Sequence, residues 1–279
     1  MLVITRCIAQ ACNELKVPYE FVDDNHNFIR VNLHKPYFFV NFATPFGRHD
    51  IVKICKDKEF TYKLLNPVIR TPHTIGYLDP FCREGYRKYV KIKSYQKIHK
   101  DILSKFELPV IIKRNTGTRG KNVFLCQHET EILAALQKIY HKKSKEYDYV
   151  AIAQAYIQPV EEFRVVSFFR DILLVYKKDI SHATFVGNLS PLHWENAHAI
   201  HVQDEQLIAR LHDFLAPVHS VLELQFSGID VILDEEDNLW VLEINSQPDF
   251  DIFARDNGDE RVVEVFKVML RRMMNGKAA

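Results

Sequence analysis

The sequence predicts an α+β protein, and three observations support this fold class. Apolar residues at helical spacing recur along the chain, as in residues 5–16 and 260–274, and indicate amphipathic helices. Short apolar runs separated by polar turns lie between these helices and indicate β-hairpins, of which residues 227–248 contain the clearest. The chain has 279 residues, 47% of them hydrophobic, which suffices for one large domain or two to three coupled lobes.

The predicted elements alternate between helices and strands. Apolar residues three and four apart mark the helices, and shorter apolar runs bounded by Gly, Pro, Asn or Asp mark the strands. The predicted helices span residues 5–16, 50–65, 94–106, 204–216 and 260–274, with one more capped by Thr130. The predicted strands span residues 17–22, 28–33, 37–42, 109–113, 123–126, 150–156, 161–169, 172–176 and the two runs within 227–248. An extended segment begins at residue 71, and a long polar loop is expected to run to about residue 198.

The hairpin 227–248 brings three oxygen-bearing side chains together. Alternation along its second strand predicts that Glu243 and Asn245 share one face, with Asp230 roughly opposite in a register uncertain by one residue. The other face would carry the large apolar residues Trp240, Leu242 and Ile244. Two unpaired carboxylates beside an apolar face repel each other and lose hydration, and a hard cation such as Mg²⁺ removes both costs. A plain surface hairpin with its polar side chains in water is the alternative.

A polar, basic loop follows the short strand 109–113, which ends in Lys113. This loop, residues 115–122, contains Gly117 and Gly120, two of only nine glycines in the chain. Such a loop can offer backbone N–H groups to a phosphate, although an ordinary hairpin loop fits the pattern as well. The segment 81–106 is also strongly basic, and either a solvated helix face or an anion-binding role fits its composition.

The bulk composition limits the class of protein. The 37 basic and 36 acidic side chains nearly balance, so nothing at this level indicates a nucleic-acid partner. Five cysteines without a C-x-x-C pair predict reduced thiols. The N-terminus lacks the apolar core of a signal peptide, and no stretch approaches the roughly 20 apolar residues of a membrane span. We therefore expect a cytoplasmic protein with no membrane or nucleic-acid partner; its oligomeric state is left open.

Five segments occur in a characteristic order between about residues 57 and 250. They are Asp57-Lys58 with Leu64-Leu65 and Pro72-His73-Thr74; residues 109–113 with Gly117 and Gly120; Gln154-Ala155-Tyr156-Ile157 with Glu162 and Arg164; residues 175–189; and Gly228-Ile229-Asp230 with Glu243-Ile244-Asn245-Ser246. In this order they resemble the ATP-grasp superfamily, and within it the RimK-like glutamate ligases and the D-alanine–D-alanine ligases. Two positions depart from that pattern. Ala155 stands where the hinge usually has an acid, and Ser190-Pro191-Leu192-His193 follows Asn188-Leu189 where RimK-like ligases continue Arg-Gly-Gly.

The resemblance implies a site that holds ATP with one or two Mg²⁺ ions, or Mn²⁺ in their place. The implied phosphate-binding residues are Lys58, Lys113, Gly117 and Gly120. The adenine would lie against the hinge at Gln154, Tyr156 and Ile157, and the ribose against Glu162. The implied metal ligands are Asp230, Glu243 and Asn245. The γ-phosphate and the acyl phosphate made from it would face Arg164, Lys178 and Asn188.

The resemblance also implies an ATP-grasp fold and an activity. Residues 1–56 would form a short N-terminal α/β unit and residues 57–279 the ATP-grasp domain, with a lid subdomain at about 88–157 and a catalytic subdomain at about 158–279. The implied enzyme is a ligase that joins a small-molecule or peptide carboxylate to an amine through an acyl phosphate. An ATP-grasp kinase acting on an alcohol or inositol phosphate is one alternative, because the segment 83–105 could bind a phosphorylated substrate. A non-catalytic ATP-binding module is the other.

Overall fold

Three antiparallel β-sheets organise the fold in this computed structural model, which describes residues 1–118, 120–187 and 189–276. The strands are β1 (Tyr19–Phe21), β2 (Phe28–Asn32), β3 (Pro36–Val40), β4 (Thr74–Leu78), β5 (Val110–Arg114), β6 (Val123–Cys126), β7 (Val150–Ala155), β8 (Glu161–Phe168), β9 (Asp171–Asp179), β10 (His198–His201), β11 (Phe226–Leu233) and β12 (Leu239–Asn245). Their orders are β1-β2-β3, β4-β7-β5-β6 and β10-β9-β8-β11-β12.

Helices cover these sheets and close three hydrophobic cores. They are α1 (Val3–Leu15), α2 (His49–Lys56), α3 (Lys58–Leu65), α4 (Tyr95–Leu103), α5 (Glu129–Ile139), α6 (Glu205–Val221), α7 (Asp251–Asn257) and α8 (Glu260–Met274), with short 3₁₀ helices at Glu84–Tyr89 and Pro191–His193. The first core joins α1, α8 and the three-stranded sheet to one face of the five-stranded sheet. The second packs α2, α3 and α6 on the opposite face. The third lies between the four-stranded sheet and α4 and α5. Within the described ranges, no helix is long and apolar enough to cross a membrane.

The five-stranded sheet has one face that is apolar at one end and polar at the other. In β8, Phe163 and Val165 point into the second core, and Val166 and Phe168 belong to the first. Because side chains alternate along a strand, Arg164 shares the face of Val166 and Phe168 but lies beyond the reach of the first core. The uncovered end of this face is where the polar side chains collect.

The helix predicted over residues 50–65 is two helices, α2 and α3, separated at Asp57. The carboxylate of Asp57 accepts a hydrogen bond from the backbone N–H of Phe60 at 2.8 Å, so it caps a new helix instead of continuing the old one. The apolar spacing predicted the helical content, but a capping aspartate inside it set the boundary.

One other prediction differs from the structure, and two elements were not predicted. Thr130 does not cap α5, because the helix starts at Glu129 and the side chain of Glu131 accepts from the backbone N–H of His128 at 3.0 Å. Strand β10, which begins where the polar segment was expected to end, was not predicted, because its four residues are too short to give a periodic signal. Helix α7 was not predicted, since its seven residues contain little more than one apolar turn.

Candidate active site

A cleft of about 600 Å³ is lined by residues of both the four-stranded and the five-stranded sheet. It brings together ten of the predicted site residues, which are Lys58, Lys113, Gly117, Gly120, Glu162, Arg164, Lys178, Asp230, Glu243 and Asn245. Those of β8, β9, β11 and β12 project from the polar end of the same sheet face. The cleft therefore collects predicted residues that lie up to 187 positions apart in the sequence.

The hairpin register places the two predicted metal-binding carboxylates directly opposite each other, Asp230 on β11 and Glu243 on β12. The register then shifts, because Val231 pairs with Val241 and leaves Leu242 as an extra residue. This bulge reverses the alternation along β12. Val241 therefore turns into the second core, whereas Leu242 joins Glu243 in the lining of the cleft.

The prediction of strict alternation along β12 is accordingly wrong for part of the strand. Of the three apolar residues assigned to one face, only Ile244 belongs to the buried core. Trp240 is half-buried, and its indole N–H donates to the Asp234 carboxylate at 2.7 Å. A one-residue insertion in a β ladder leaves no mark in the residue pattern, since alternation on either side of it remains intact.

Four charged side chains form a buried network at the floor of the cleft. The guanidinium of Arg164 binds Asp230 with Nε 2.6 Å from Oδ1 and Nη2 3.0 Å from Oδ2. The ammonium of Lys178 lies 2.9 Å from the same Oδ1 and also donates to Glu162. Burial raises the pKa of Asp230, but Arg164 and Lys178 outweigh this effect and hold it below its usual value. Burial likewise lowers the pKa of Lys178, yet Asp230 and Glu162 raise it overall, so Lys178 and Asp230 are both held in their charged forms.

The oxygen donors of the hairpin suit a hard cation such as Mg²⁺. The Glu243 carboxylate faces the cleft, and the ammonium of Lys58 lies 3.8 Å from its Oε2. From the described residues, Oδ1 of Asp230 accepts two hydrogen bonds and Oδ2 accepts one, and these bonds leave one lone pair on Oδ2 for a metal. The amide oxygen of Asn245 supplies a third donor. Among the described residues no cluster of three or more His, Cys, Asp or Glu could hold an ion by itself. A cation here would take only these donors and complete its shell with water or phosphate oxygens.

Lys58 reaches the cleft from the first position of α3, where the Asp57 cap turns the chain. Its ammonium donates to the backbone carbonyl of Gly117 at 2.6 Å. The next residue, Glu59, donates its backbone N–H to the side chain of Asn115 at 3.0 Å. The start of α3 thus tethers Asn115 and Gly117, at the beginning of the loop, beside the cleft.

Lys113 reaches the cleft from β5 on the face opposite the third core, since Ile112 and Val110 point into that core. Its side chain is buried, and burial lowers the pKa of its ammonium to about 8, against the opposing effect of Glu243. Within the described part of the chain, Lys113 has no ion-pair partner, whereas Arg164 and Lys178 both have one. A buried ammonium with no ion-pair partner among the described residues suits an anionic ligand.

The structure leaves the predicted adenine contacts outside the lining of this cleft. The side-chain amide of Gln154 is buried and donates to the Thr74 hydroxyl at 2.9 Å. It lines a second, much smaller cavity of about 20 Å³, together with Lys58 and Leu242. Tyr156 and Ile157 line neither cavity. Asn188 lies outside the described residues, so the structure bears on the other two predicted γ-phosphate contacts alone.

Other residues of the cleft gave no signal in the sequence. Arg114 follows Lys113 and binds Glu146 at 2.6 Å, and Lys121 lies 3.8 Å from the same carboxylate. At another part of the lining lie Asp249 and an apolar group, Phe42, Tyr176, Leu192 and Ile252. These four belong to or pack against the first core, which only the folded chain assembles. Only Tyr176 could have been found from the sequence, because it lies two residues before Lys178 on the same strand and therefore shares its face.

Comparison with known proteins agrees with this architecture. A family model described as a RimK-like ATP-grasp domain matches residues 86–269, which is more than half of the chain. No curated protein matches it.

Several solved ligases are similar in fold. D-alanine–D-alanine ligase from Bacillus anthracis shares 18% identity with a TM-score of 0.55, covering 81% of this chain and 67% of the ligase, and was also solved in complex with ATP. The VanG D-Ala:D-Ser ligase from Enterococcus faecalis shares 15% identity with a TM-score of 0.57, covering 81% of this chain and 62% of its own. A bifunctional glutathione synthetase from Pasteurella multocida shares 13% identity with a TM-score of 0.56, covering 98% of this chain and 44% of its own. At such identities the likeness concerns the fold alone, and the chain spans between 44% and 67% of these proteins.

Proposed function

The chain belongs to the RimK-like ATP-grasp family, and we propose that it is a carboxylate–amine ligase that forms an amide or peptide bond through an acyl phosphate at a Mg-ATP site. The observation that carries the proposal is Lys113, a buried ammonium without an ion-pair partner among the described residues, facing the cleft beside Lys58 and Glu243. The triphosphate of ATP supplies the missing negative charge, and a lysine serves as a point-charge phosphate binder.

The residues divide into two groups in this proposal. Lys58 and Lys113 bind phosphate oxygens, and the loop with Gly117 and Gly120 covers them. Glu243 and Asn245, with the remaining lone pair of Asp230, hold the Mg²⁺. The bound metal would neutralise charge on the phosphates and orient them. We keep the adenine and ribose contacts at Tyr156, Ile157 and Glu162 as part of the proposal.

Arg164 and Lys178 serve the chemical step. A substrate carboxylate attacks the γ-phosphorus, ADP leaves, and the resulting acyl phosphate is attacked by an amine that displaces phosphate. The buried network holds both cations at fixed positions beside the cleft, so they need not reorganise when negative charge develops on the transferring group. We assign this work to a catalytic subdomain at about residues 158–279 and the covering role to a lid at about 88–157.

The kinase alternative was suggested by the basic segment 83–105, and the structure gives that suggestion no support. None of the described residues that line the cleft comes from that segment. A phosphorylated substrate held by that segment would lie away from Lys113 and Lys178, so a ligase activity fits the cleft better than a kinase activity.

Interception of the acyl phosphate tests the proposal. The protein is incubated with Mg-ATP, a panel of amino acids and dipeptides as carboxylates, and hydroxylamine in place of the amine. A ligase forms a hydroxamate and releases ADP and phosphate in equal amounts. An alcohol kinase has no acyl phosphate, so turnover that yields a phosphorylated alcohol and no free phosphate overturns the proposal. A Lys178→Ala protein is the control for contaminating activity.

A further inference from the structure

The lid side of the molecule carries a concentrated positive surface, which we call the lysine-rich patch and define as residues 81–100 and 141–145. These two segments contain ten of the 37 basic side chains of the chain but only one of its 36 acidic ones, Glu84. The basic residues are Arg83, Arg87, Lys88, Lys91, Lys93, Lys97, Lys100, Lys142, Lys143 and Lys145. The remaining residues therefore carry an excess of negative charge, and the net charge of +1 hides a strong asymmetry.

The fold joins the two segments into one surface. The ammonium of Lys142 donates to the backbone carbonyl of Phe81. Tyr86 packs edge-on against Tyr149 at 5.2 Å between ring centroids, and Tyr147 in turn packs on Tyr149 at the same distance. These aromatic contacts fix the segment around the 3₁₀ helix Glu84–Tyr89 beside the loop 141–145.

The charges of the patch are exposed and uncompensated. All ten basic side chains belong to exposed residues, and none of them forms an ion pair with another residue in the described ranges. Like charges at this density repel one another and weaken the folded state. An anionic partner would relieve that repulsion.

Exposed aromatic rings lie among these cations. Phe81, Tyr86 and Tyr89 are 51%, 48% and 61% exposed, and the ammonium of Lys88 lies 5.1 Å from the ring centre of Tyr89. Aromatic and basic side chains together suit an extended partner that is acidic and also carries apolar or aromatic groups.

The patch leads to the mouth of the cleft. The loop 141–145 is followed directly by Glu146, which lines the cleft and binds Arg114 at 2.6 Å. A partner lying along the patch would thus reach the cleft within a few residues of extended chain.

We propose that the lysine-rich patch binds an acidic segment of a polypeptide substrate and directs one of its carboxylates into the cleft. The role as substrate rests on the proposed ligase function, because a ligase of this kind consumes a carboxylate. The proposed ligase consumes a carboxylate, and an acidic polypeptide carries carboxylates whereas RNA carries only phosphates. A polypeptide is therefore preferred over RNA as the partner.

Binding is tested without nucleotide, by fluorescence anisotropy of a labelled peptide rich in glutamate and tyrosine. The patch variant is Lys88→Glu/Lys91→Glu/Lys93→Glu. The control variant, Lys35→Glu/Lys53→Glu/Arg170→Glu, makes the same change in net charge at exposed positions outside the patch. We expect the patch variant to bind the peptide on the order of tenfold more weakly than wild type, and the control variant to bind it nearly as well. Binding of the wild type should weaken as the salt concentration rises.

Three results would overturn the proposal. The first is equal loss of peptide affinity in both variants. The other two are tighter binding of oligo-uridine, or of vesicles containing phosphatidylserine, than of the peptide. The hydroxamate assay with a small carboxylate separates this inference from the proposed function, since the patch variant should make hydroxamate at the wild-type rate. If no hydroxamate ever forms but peptide binding depends on the patch, the ligase proposal fails and the binding surface stands.

Discussion

Arg164 and Asp230 face each other across the β8–β11 pair and form two hydrogen bonds, of 2.6 and 3.0 Å. The pair joins the two halves of the proposed chemistry, because Asp230 is also a proposed metal ligand and Arg164 a proposed γ-phosphate contact. Metal binding at Asp230 must share a carboxylate that two buried cations already use. The two acidic residues of the hairpin therefore differ in what they stabilise.

Replacement of Asp230 should cost stability, and replacement of Glu243 should not. Asp230→Ala leaves Arg164 and Lys178 buried with a lost counter-charge, which is expected to lower the free energy of unfolding by about 3–5 kcal/mol. The Glu243 carboxylate faces the cleft, and its ion pair with Lys58 is long, at 3.8 Å. Glu243→Ala should therefore change the free energy of unfolding by less than about 1 kcal/mol. Urea unfolding measures both values.

Calorimetry on folded Glu243→Ala should show that Mg-dependent ATP binding is gone, and unchanged affinity would contradict the metal assignment.

Gly228 leaves room for the side chain of Arg164. A Cβ at this position would lie 3.0 Å from the Cδ of Arg164 and 3.0 Å from the Cβ of Pro248. Gly228→Ala should therefore displace the guanidinium from Asp230 and lower the free energy of unfolding by about 1–3 kcal/mol. Gly85→Ala is the matched control, since a Cβ there meets nothing within 4 Å. Equal melting temperatures of the two variants would argue against the packing role of Gly228.

Lys178 and its neighbour Lys177 give a matched pair for the chemical step. Lys178 lines the cleft, whereas Lys177 is bound to Glu161 at 2.5 Å and does not line it. Because Lys178 is proposed to meet charge mainly in the transition state, Lys178→Ala should lower kcat on the order of 10²–10³-fold and change the KM for ATP little. Lys177→Ala should leave both constants near wild type. ADP release under saturating ATP measures them, and a large rise in KM at unchanged kcat would place Lys178 in ground-state binding instead.

The lowered pKa of Lys113 predicts a pH dependence of nucleotide binding. The free ammonium loses its proton through about pH 8, so its attraction for phosphate should fall as the pH rises above that value. The affinity for Mg-ATP should accordingly decrease between pH 7.5 and 9.5, roughly the range on either side of that pKa. Lys113→Arg keeps its charge throughout, and its affinity should be nearly independent of pH in the same range. An identical decrease in both proteins would trace the effect to another group.

The lowered pKa of Lys113 also makes the stability of the folded chain depend on pH. Between the lowered pKa of about 8 and the ordinary value of 10.5, the unfolded chain holds a proton that the folded chain releases. The contribution of Lys113 to the free energy of unfolding therefore rises with pH across this interval.

The contact between Lys58 and Gly117 predicts how the loop 115–122 opens. Lys58 donates to the Gly117 carbonyl at 2.6 Å, and Lys121 in the same loop has a side chain that is 64% exposed. Trypsin cleavage at Lys121 should be faster in Lys58→Ala than in wild type, because the loop loses this tether. In wild type, cleavage should slow when Mg²⁺ and a non-hydrolysable ATP analogue bind, as expected for a lid that orders over the phosphates. Equal cleavage rates with and without nucleotide would contradict the lid assignment.

The local pattern of the sequence was sufficient for those parts of the site that lie on one hairpin or one strand. Two apolar runs around a polar turn predicted Asp230 roughly opposite Glu243, and the structure fixes the register that was uncertain by one residue. Period-two spacing on one strand predicted that Glu162 and Arg164 share a face. The ATP-grasp fold was predicted by the order of five such segments and is confirmed by the family match and the solved structures. In each case the spacing of side chains along a regular element fixes which of them share a face.

The tertiary structure alone decided which charges meet and which stay alone. Arg164 and Asp230 are 66 residues apart, and only the pairing of β8 with β11 brings them together. The bulge at Leu242 and the break at Asp57 depend on a ladder partner and a capping bond that residue spacing does not encode. In the part of the chain that the structure describes, Lys113 has no ion-pair partner, because Asp230 and Glu162 pair with Arg164 and Lys178 instead. The sequence thus determined which charged side chains each element carries. The packing of the elements determined which of those charges is left for a ligand, because ion pairing acts over a few ångströms in space and not along the chain.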